Sequence, residues 1–414
     1  MSVSQVRDLN DPAVFSAGIP HDVFDVMRST PGLTWVDPSH GIDRGYWALT
    51  RYHDVVAVSR DPETYSSAVG HIQTYDIDED ALEARASMID MDAPVHTRLR
   101  RLVSSAFTPR HVKDHQAAIR QRVRATLDRL ERDGGGNWID IVAKPIPIGV
   151  ICDILGVPEE DHGHMIELSD HLVAGTSSVD LDPGAYGNTT ELRLLPFNSP
   201  AAHGVNEYAR QLAERRRREP ADDLVTQLLE ATVDGQRLTE SEFSNFFRLM
   251  IFAGNETTRS AIGHLALQLV AEPEQFARVA ADRALLGPAV EEVVRHGSPI
   301  LYFRRTATCA TELAGTQIAP GDKVVMWYSA ANFDPEVFPE PKRFVVDRPA
   351  TPPQIGYGGG GPHFCLGASL ARLELTELLD EVLVRGLDLE LVGVPEFVDS
   401  NFVNGLEHVE VRLR

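Results

Sequence analysis

Ile355-Gly356-Tyr357-Gly358-Gly359-Gly360-Gly361-Pro362-His363-Phe364-Cys365-Leu366-Gly367-Ala368 runs straight into an apolar, helix-spaced stretch from Ser369 to Arg385. A glycine run lets backbone approach a flat, bulky group, and a lone cysteine follows it at the mouth of the helix. There the unpaired N–H groups and the positive end of the helix dipole stabilise a thiolate, which suits an axial metal ligand. Two other readings fail on the residues around it. Gly356 to Gly361 satisfies the letter of a dinucleotide loop, but Pro352 and Pro353 stand where its strand belongs, and Glu374 and Glu377 lie inside the helix instead of following on a strand. Cys152, Cys309 and Cys365 also lack the paired spacing that closes a tetrahedral zinc site. An inert buried cysteine stays open on these residues alone.

Gly360-Gly361-Pro362-His363-Phe364-Cys365-Leu366-Gly367-Ala368 resembles the haem-binding loop of the cytochrome P450 family, of the soluble bacterial type. The family usually carries Phe seven residues before the cysteine. Here Gly358 holds that position and Tyr357, eight before, is the nearest aromatic. The resemblance implies haem b held by Cys365, with donors aimed at the sulfur setting the iron potential.

Composition sets bounds. At 43% hydrophobic and 24% charged, the 414 residues have ample material for a core, and no Pro/Gly/Ser linker or repeat divides them, so a single domain over 1–414 is expected. A formal charge of -22 excludes nucleic acid as a partner, because phosphate binding needs a basic face. There is no apolar h-region at the start and no run of eighteen apolar residues, so neither a secretion signal nor a membrane anchor is expected. Three scattered cysteines fit a reducing, cytoplasmic setting.

Along the chain, His21–Arg28 and Arg51–Arg60 read as helices, and 33–36 and 46–50 as strands. Ala68 to Asp90 reads as a mobile flap over a pocket or as a plain solvated loop. A helix begins at Pro94, with His96 and Arg100 on one face and Arg98 and Arg101 on another. Helices follow at 115–132, ended by Gly134 to Gly136, then at 148–155 and 159–173. Residues 174–202 are the most loop-like stretch, and the resemblance makes them the roof of a substrate pocket with Leu194, Leu195 and Phe197. Thr316 to Trp327 reads as a strand pair turning at Pro320-Gly321, and Leu387 to Arg414 as β, with a hairpin tip at Asn401-Phe402-Val403-Asn404.

Ser241 to Glu272 is the longest helical pattern and is apolar on more than one side, so it is buried. Inside it, Ala253-Gly254-Asn255-Glu256-Thr257-Thr258 breaks local rules, since Gly costs about 1 kcal/mol relative to Ala and threonines are poor helix formers. A packing kink, with Thr257 bonded back to the Ala253 carbonyl, is one explanation; a groove beside an acid and a hydroxyl that relay protons is the other. The motif is similar to the family's Ala-Gly-x-acid-Thr-Thr, which implies relay by Glu256 and Thr257. Glu292 and Arg295, three apart, resemble the family's structural ion pair, with Arg343 as third member. Ala330-Ala331-Asn332-Phe333-Asp334-Pro335 departs from the family's Asn-Arg-Asp-Pro, and losing that arginine is expected to weaken a local contact.

With four ordered motifs from about Asp92 onward, the resemblance implies a mainly α, triangular cytochrome P450 fold with a smaller β region and no separate reductase domain. It implies a haem-thiolate monooxygenase inserting one atom of O₂ into a lipophilic small molecule. The lean is to a steroid or branched lipid; terpenoid, fatty acyl and aromatic substrates stay open. His96, Arg100, Arg305 and His363 would hold the propionates, and Leu249, Ala253, Ile300, Leu301, Phe402 and Val403 would line the pocket. The protein would be a monomer fed by a ferredoxin-type donor with its reductase, docking on Arg98, Arg101, Arg110 and Lys113. Peroxide-driven oxidation, C–C coupling or a non-catalytic haem sensor or carrier are the alternatives.

Overall fold

The computed structural model of the chain describes residues 7–76, 87–174, 200–233 and 235–414. Its helices, in chain order, are α1 (His21–Ser29), α2 (Tyr52–Arg60), α3 (Val95–Val103), α4 (Pro109–Asp114), α5 (Gln116–Asp133), α6 (Pro145–Leu155), α7 (His162–Ala174), α8 (Pro200–Arg218), α9 (Leu224–Glu230), α10 (Glu240–Ala271), α11 (Pro273–Ala281), α12 (Leu286–Gly297), α13 (Tyr328–Ala331) and α14 (Ala368–Arg385). The strands are β1 (Thr34–Val36), β2 (Tyr46–Leu49), β3 (Tyr65–Ser66), β4 (Gly135–Asn137), β5 (Tyr302–Ala307), β6 (Thr311–Leu313), β7 (Thr316–Ile318), β8 (Lys323–Trp327), β9 (Leu389–Leu391), β10 (Glu396–Phe397), β11 (Leu406–His408) and β12 (Glu410–Leu413). The expected helices recur within a few residues of their predicted bounds, because their apolar residues repeat at the helical period and their ends carry stop signals. Gly134, for example, ends α5 with φ +69°.

The chain divides into two compact units. The first comprises residues up to 77, 264–365 and 394–407. Its sheet has the order β1-β2-β8-β5-β3, parallel only between β2 and β8. All five residues of β8 are buried, as a central strand requires. The strand pair expected within Thr316–Trp327 is not formed. β7 pairs with β6 in a separate two-stranded sheet, while β8 pairs with β5 and β2, so the turn at Pro320-Gly321 leads from β7 into β8 without joining partners.

Residues 68–76 of the expected flap are anchored in this unit. Arg304 donates its backbone N–H to the Ile72 carbonyl (2.7 Å) and its guanidinium to Tyr75 O and Asp76 Oδ1 (3.2 and 3.0 Å). The Lys323 ammonium reaches Thr74 O and Asp76 Oδ2, both at 2.8 Å. Burial alone would raise the Asp76 carboxyl, but hydrogen bonds from Arg44 and Lys323 and the charge of Arg304 hold it well below the usual carboxylate range. Residues 77–86 of the flap, and Leu194, Leu195 and Phe197 of the expected roof, lie outside the described residues.

Glu292 and Arg295 form a buried bidentate pair at 2.7 and 2.8 Å. The third member is Arg348, 3.0 Å from Glu292, and not Arg343. Arg343 is exposed, pairs with Glu340, and gives the hub only its backbone carbonyl. Phe333 fills the place of the missing arginine, with the Arg295 guanidinium 5.1 Å from its ring centroid and the His21 ring 4.3 Å away.

The second unit takes 78–263, 366–393 and 408–414. It is helical, with a small sheet ordered β4-β12-β9. Trp138 is fully buried here, its indole N–H bonded to the Ile262 carbonyl at 3.1 Å. A capping box opens α10: Thr239 Oγ1 accepts from the Glu242 N–H, and Glu242 Oε2 accepts from the Thr239 N–H.

Candidate active site

In the first unit the Cys365 loop closes on its own backbone. Cys365 N donates to Tyr357 O (3.0 Å), Phe364 N to Gly361 O (3.2 Å) and Gly358 N to Ile355 O (2.9 Å). Tyr357 therefore supports the loop through its carbonyl. The glycines answer to α2 as well as to any cofactor. Gly361 has φ +76°, and a Cβ there would lie 2.3 Å from Ser59 O; a Cβ on Gly359 would meet Ser59 and Val56. Ser59 Oγ donates to Gly360 O (2.8 Å) and Arg60 Nε to Gly359 O (3.2 Å), so the last turn of α2 grips the loop from the side.

The result is an exposed cysteine beside an exposed Phe364. His363 lies next to them, its Nε2 3.1 Å from Ser67 Oγ. Arg305 is buried on β5 and donates to the Arg304 carbonyl at 2.8 Å. A sulfur ligand, an apolar ring and cationic or polar nitrogens within one unit match the chemistry of a haem, which presents iron, an apolar disc and two carboxylates.

The other expected residues lie in the second unit. On α3, His96 is buried and Arg100 half-buried. Arg98 is not a free surface cation as its position on the helix suggested: it pairs with Glu242 of α10, and both are half-buried. Arg101, Arg110 and Lys113 are exposed.

Helix α10 is unbroken through the Gly254 motif, and the back-bond from Thr257 to the Ala253 carbonyl that belongs to the packing explanation is present. At Gly254 a Cβ would stand 3.1 Å from the Ile151 side chain of α6, which would have to give by a few tenths of an ångström. From Phe243 to Ala266, Ala253, Gly254 and Thr257 are the residues not buried. They form an accessible strip on an otherwise enclosed middle of the helix. Thr257 Oγ1 donates to Ala253 O at 2.9 Å, which leaves its lone pairs to accept from a group in that strip.

Glu256 is 1% exposed. Burial pushes its carboxyl above the usual range, against the opposing charge of Arg259. Its Oε2 lies 3.4 Å from Arg259 Nη1, and Arg259 in turn donates to Asp170 of α7 at 2.8 Å. The sequence reading missed Arg259 and Asp170 as parts of this site; the only signal was Arg259 three residues after Glu256 on the same helix.

The expected lining residues fall into two groups. Leu249 and Ala253 are one turn apart on α10, in the second unit. In the first, Ile300 bridges to Val403, Leu301 N bonds Phe402 O (2.9 Å), and Phe402 packs edge-on against Tyr302. Leu301, Phe402 and Val403 are buried and Ile300 is half-buried. Asn401 to Asn404 lie in the connection of the β10–β11 hairpin, as expected.

The family model "Cytochrome P450" matches residues 43–392. The chain belongs to the cytochrome P450 family. It is 34% identical to a steroid C26-monooxygenase of Mycolicibacterium smegmatis, over 98% of this chain and 93% of that one. It is 40% identical to a methyl-branched lipid omega-hydroxylase of Mycobacterium bovis, over 93% of this chain and 89% of the relative. Among solved structures, a Mycobacterium marinum cytochrome P450 in complex with pseudoionone superposes with a TM-score of 0.88 at 36% identity, covering 99% and 100% of the two chains. This P450 is an oxidoreductase of the monooxygenase type with the mainly α P450 fold. Among the described residues, no helix is long and apolar enough to cross a membrane.

Proposed function

We propose that this P450 hydroxylates a steroid or a methyl-branched lipid, as a single-domain, monomeric cytoplasmic enzyme carrying haem b. The names of the relatives support the substrate class, and the accessible Ala253–Gly254–Thr257 strip beside buried Glu256 supports the chemistry. That strip carries the proposal. When bound, the haem supplies O₂ activation and oxygen-atom transfer.

The chain's own residues have separable tasks. Cys365 ligates iron; His96, Arg100, Arg305 and His363 hold the propionates. Leu249, Ala253, Ile300, Leu301, Phe402 and Val403 bind the substrate's hydrocarbon and exclude water. Thr257 Oγ accepts a hydrogen bond in the strip, and Glu256 gives and regains a proton behind it. Electrons come from an acidic ferredoxin-type donor with its reductase. With Arg98 engaged by Glu242, the dock narrows to Arg101, Arg110 and Lys113, whose charge steers a negative partner on an otherwise acidic chain.

The test is turnover with a ferredoxin and its reductase against a panel of sterols and methyl-branched lipids, with product identification. Hydroxylation of one class is expected in the wild type. Thr257→Ala should bind substrate equally but divert reducing equivalents to peroxide, and Glu256→Gln should slow turnover. Wild-type coupling of NAD(P)H to product in both variants refutes the relay, and haem binding without any product leaves the sensor or carrier reading in its place.

A further inference from the structure

Resting on the proposed relay, the geometry points to Arg259 and Asp170 as positioning residues that set how firmly Glu256 holds its proton. The two carboxylates compete for one guanidinium. Arg259 Nη1 lies 2.8 Å from Asp170 Oδ1 but 3.4 Å from Glu256 Oε2, so the closer, charge-assisted bond goes to Asp170. Among the described residues, Glu256 Oε2 has no hydrogen-bond donor and Oε1 only a long contact at 3.4 Å from Ser260 Oγ. A carboxylate enclosed in this way is costly unless a cation neutralises it, and Asp170 draws that cation off.

The other charged groups around the site reinforce this balance. Lys144, just before α6, lies 3.3 Å from Asp170 Oδ2 and 2.9 Å from Asp140, so its charge is shared between those two acids. Asp170 is partly exposed whereas Glu256 is enclosed, so solvent stabilises charge on Asp170 and not on Glu256. The adjacent residues of both helices are also joined: Asn255 Nδ2 donates to Ser169 Oγ at 2.7 Å. Two neighbouring links thus fix the register of α7 on α10, and a shift of α7 would change the Arg259–Asp170 distance directly. Such a shift would redistribute the guanidinium between the two acids.

Opposite substitutions should move Glu256 in opposite directions. Asp170→Asn removes the competitor and a repelling charge, so Arg259 turns to Glu256 and its carboxyl titrates lower. Arg259→Gln removes the cation, so the carboxyl titrates higher. A shift of about one unit each way is expected for a charge at this range. Arg259→Lys keeps the charge and should stay near wild type.

The measurement is the carboxyl C=O band in pH-difference infrared spectra of the ferric holoenzyme, assigned to Glu256 by its loss in Glu256→Gln. Thermal melts identify any variant that is misfolded, and Asp170→Asn, at a partly exposed site, provides the arm least exposed to that problem. Shifts of opposite sign support the proposal. An unmoved band, or shifts of the same sign, overturns it even where Glu256→Gln impairs coupling; conversely, normal coupling in Glu256→Gln refutes the relay while leaving the band shifts to stand.

Discussion

Arg348 and Arg343 offer a sharp test of the hub around Glu292. Glu292 is buried and accepts from Arg295 Nε and Nη2 (2.7 and 2.8 Å), Val345 N (2.9 Å) and Arg348 Nε (3.0 Å). Arg295 also donates to the carbonyls of Asn332, Pro341 and Arg343. Arg295→Met takes away the main cation of a buried carboxylate and should cost about 3–5 kcal/mol. Arg348→Met leaves the Glu292–Arg295 pair balanced and removes charge-assisted bonds, costing about 2–3 kcal/mol. Arg343 is 62% exposed, and Arg343→Met should stay within about 0.5 kcal/mol. For 414 residues unfolding together, about 2.1 cal/mol/K each gives roughly 0.9 kcal/mol/K. The three variants should then lower Tm by about 3–6 °C, about 2–3 °C and under about 1 °C. Calorimetry, with denaturant midpoints as a second assay, checks the order. Equal destabilisation by Arg343→Met and Arg348→Met would refute the assignment of the third member.

Cys365→Ala should abolish the red-shifted Soret band of the reduced CO complex, while Cys152→Ala and Cys309→Ala keep it; a retained band in Cys365→Ala would remove the ligand assignment. Burial pushes the Cys152 thiol up to about 12, so a brief treatment of the native protein with iodoacetamide at pH 8 should label exposed Cys309 and spare Cys152, as read by peptide mass. Burial pushes His264 down to about 4 although its Nε2 pairs with the Asn404 carbonyl at 2.8 Å. Its folded pKa lies below the unfolded value, so the unfolded chain takes up a proton first as pH falls. The stability it contributes is complete above about pH 6.5 and is lost toward pH 4, at about 1.4 kcal/mol per unit. His264→Asn should make the denaturant-derived stability less steep between pH 6.5 and 4.5, leaving the slope from His21 and His296, which burial lowers likewise; an unchanged slope would count against the argument.

What was legible in the sequence was what the local chain encodes. The helical periods, the Gly134 stop and the Asn401–Asn404 tip depend on neighbours within a few residues. So does the Gly254-to-Thr258 motif, because a glycine and two threonines inside an apolar helix violate local preference. What was not legible required a partner far along the chain. Arg348 lies 56 positions from Glu292 and Asp170 lies 89 from Arg259, and no short-range pattern singles either out. Arg343 was named because it sits in a recognisable tract, yet its side chain points to solvent. The strand pair at Thr316–Trp327 failed for a related reason: a turn signal marks where the chain reverses but not which strand it will pair with.

Arg304 and Arg305 show how local geometry can assign two jobs to neighbouring identical residues. Successive side chains on a strand point to opposite faces, so one β5 arginine must face away from the other. Arg304 is committed to Gln73, Tyr75 and Asp76, where it anchors the segment before residue 77. Burial lowers its pKa from the ordinary arginine value, and Asp76 offsets that loss. Arg305 cannot share that carboxylate, because the pleat turns it to the other side. The same alternation that closes the Asp76 hub therefore reserves the second guanidinium for a different partner, which is why the two arginines should not substitute for each other. Exchanging the register of β5 by one residue would put Arg305 on Asp76 and remove the cation proposed for a propionate.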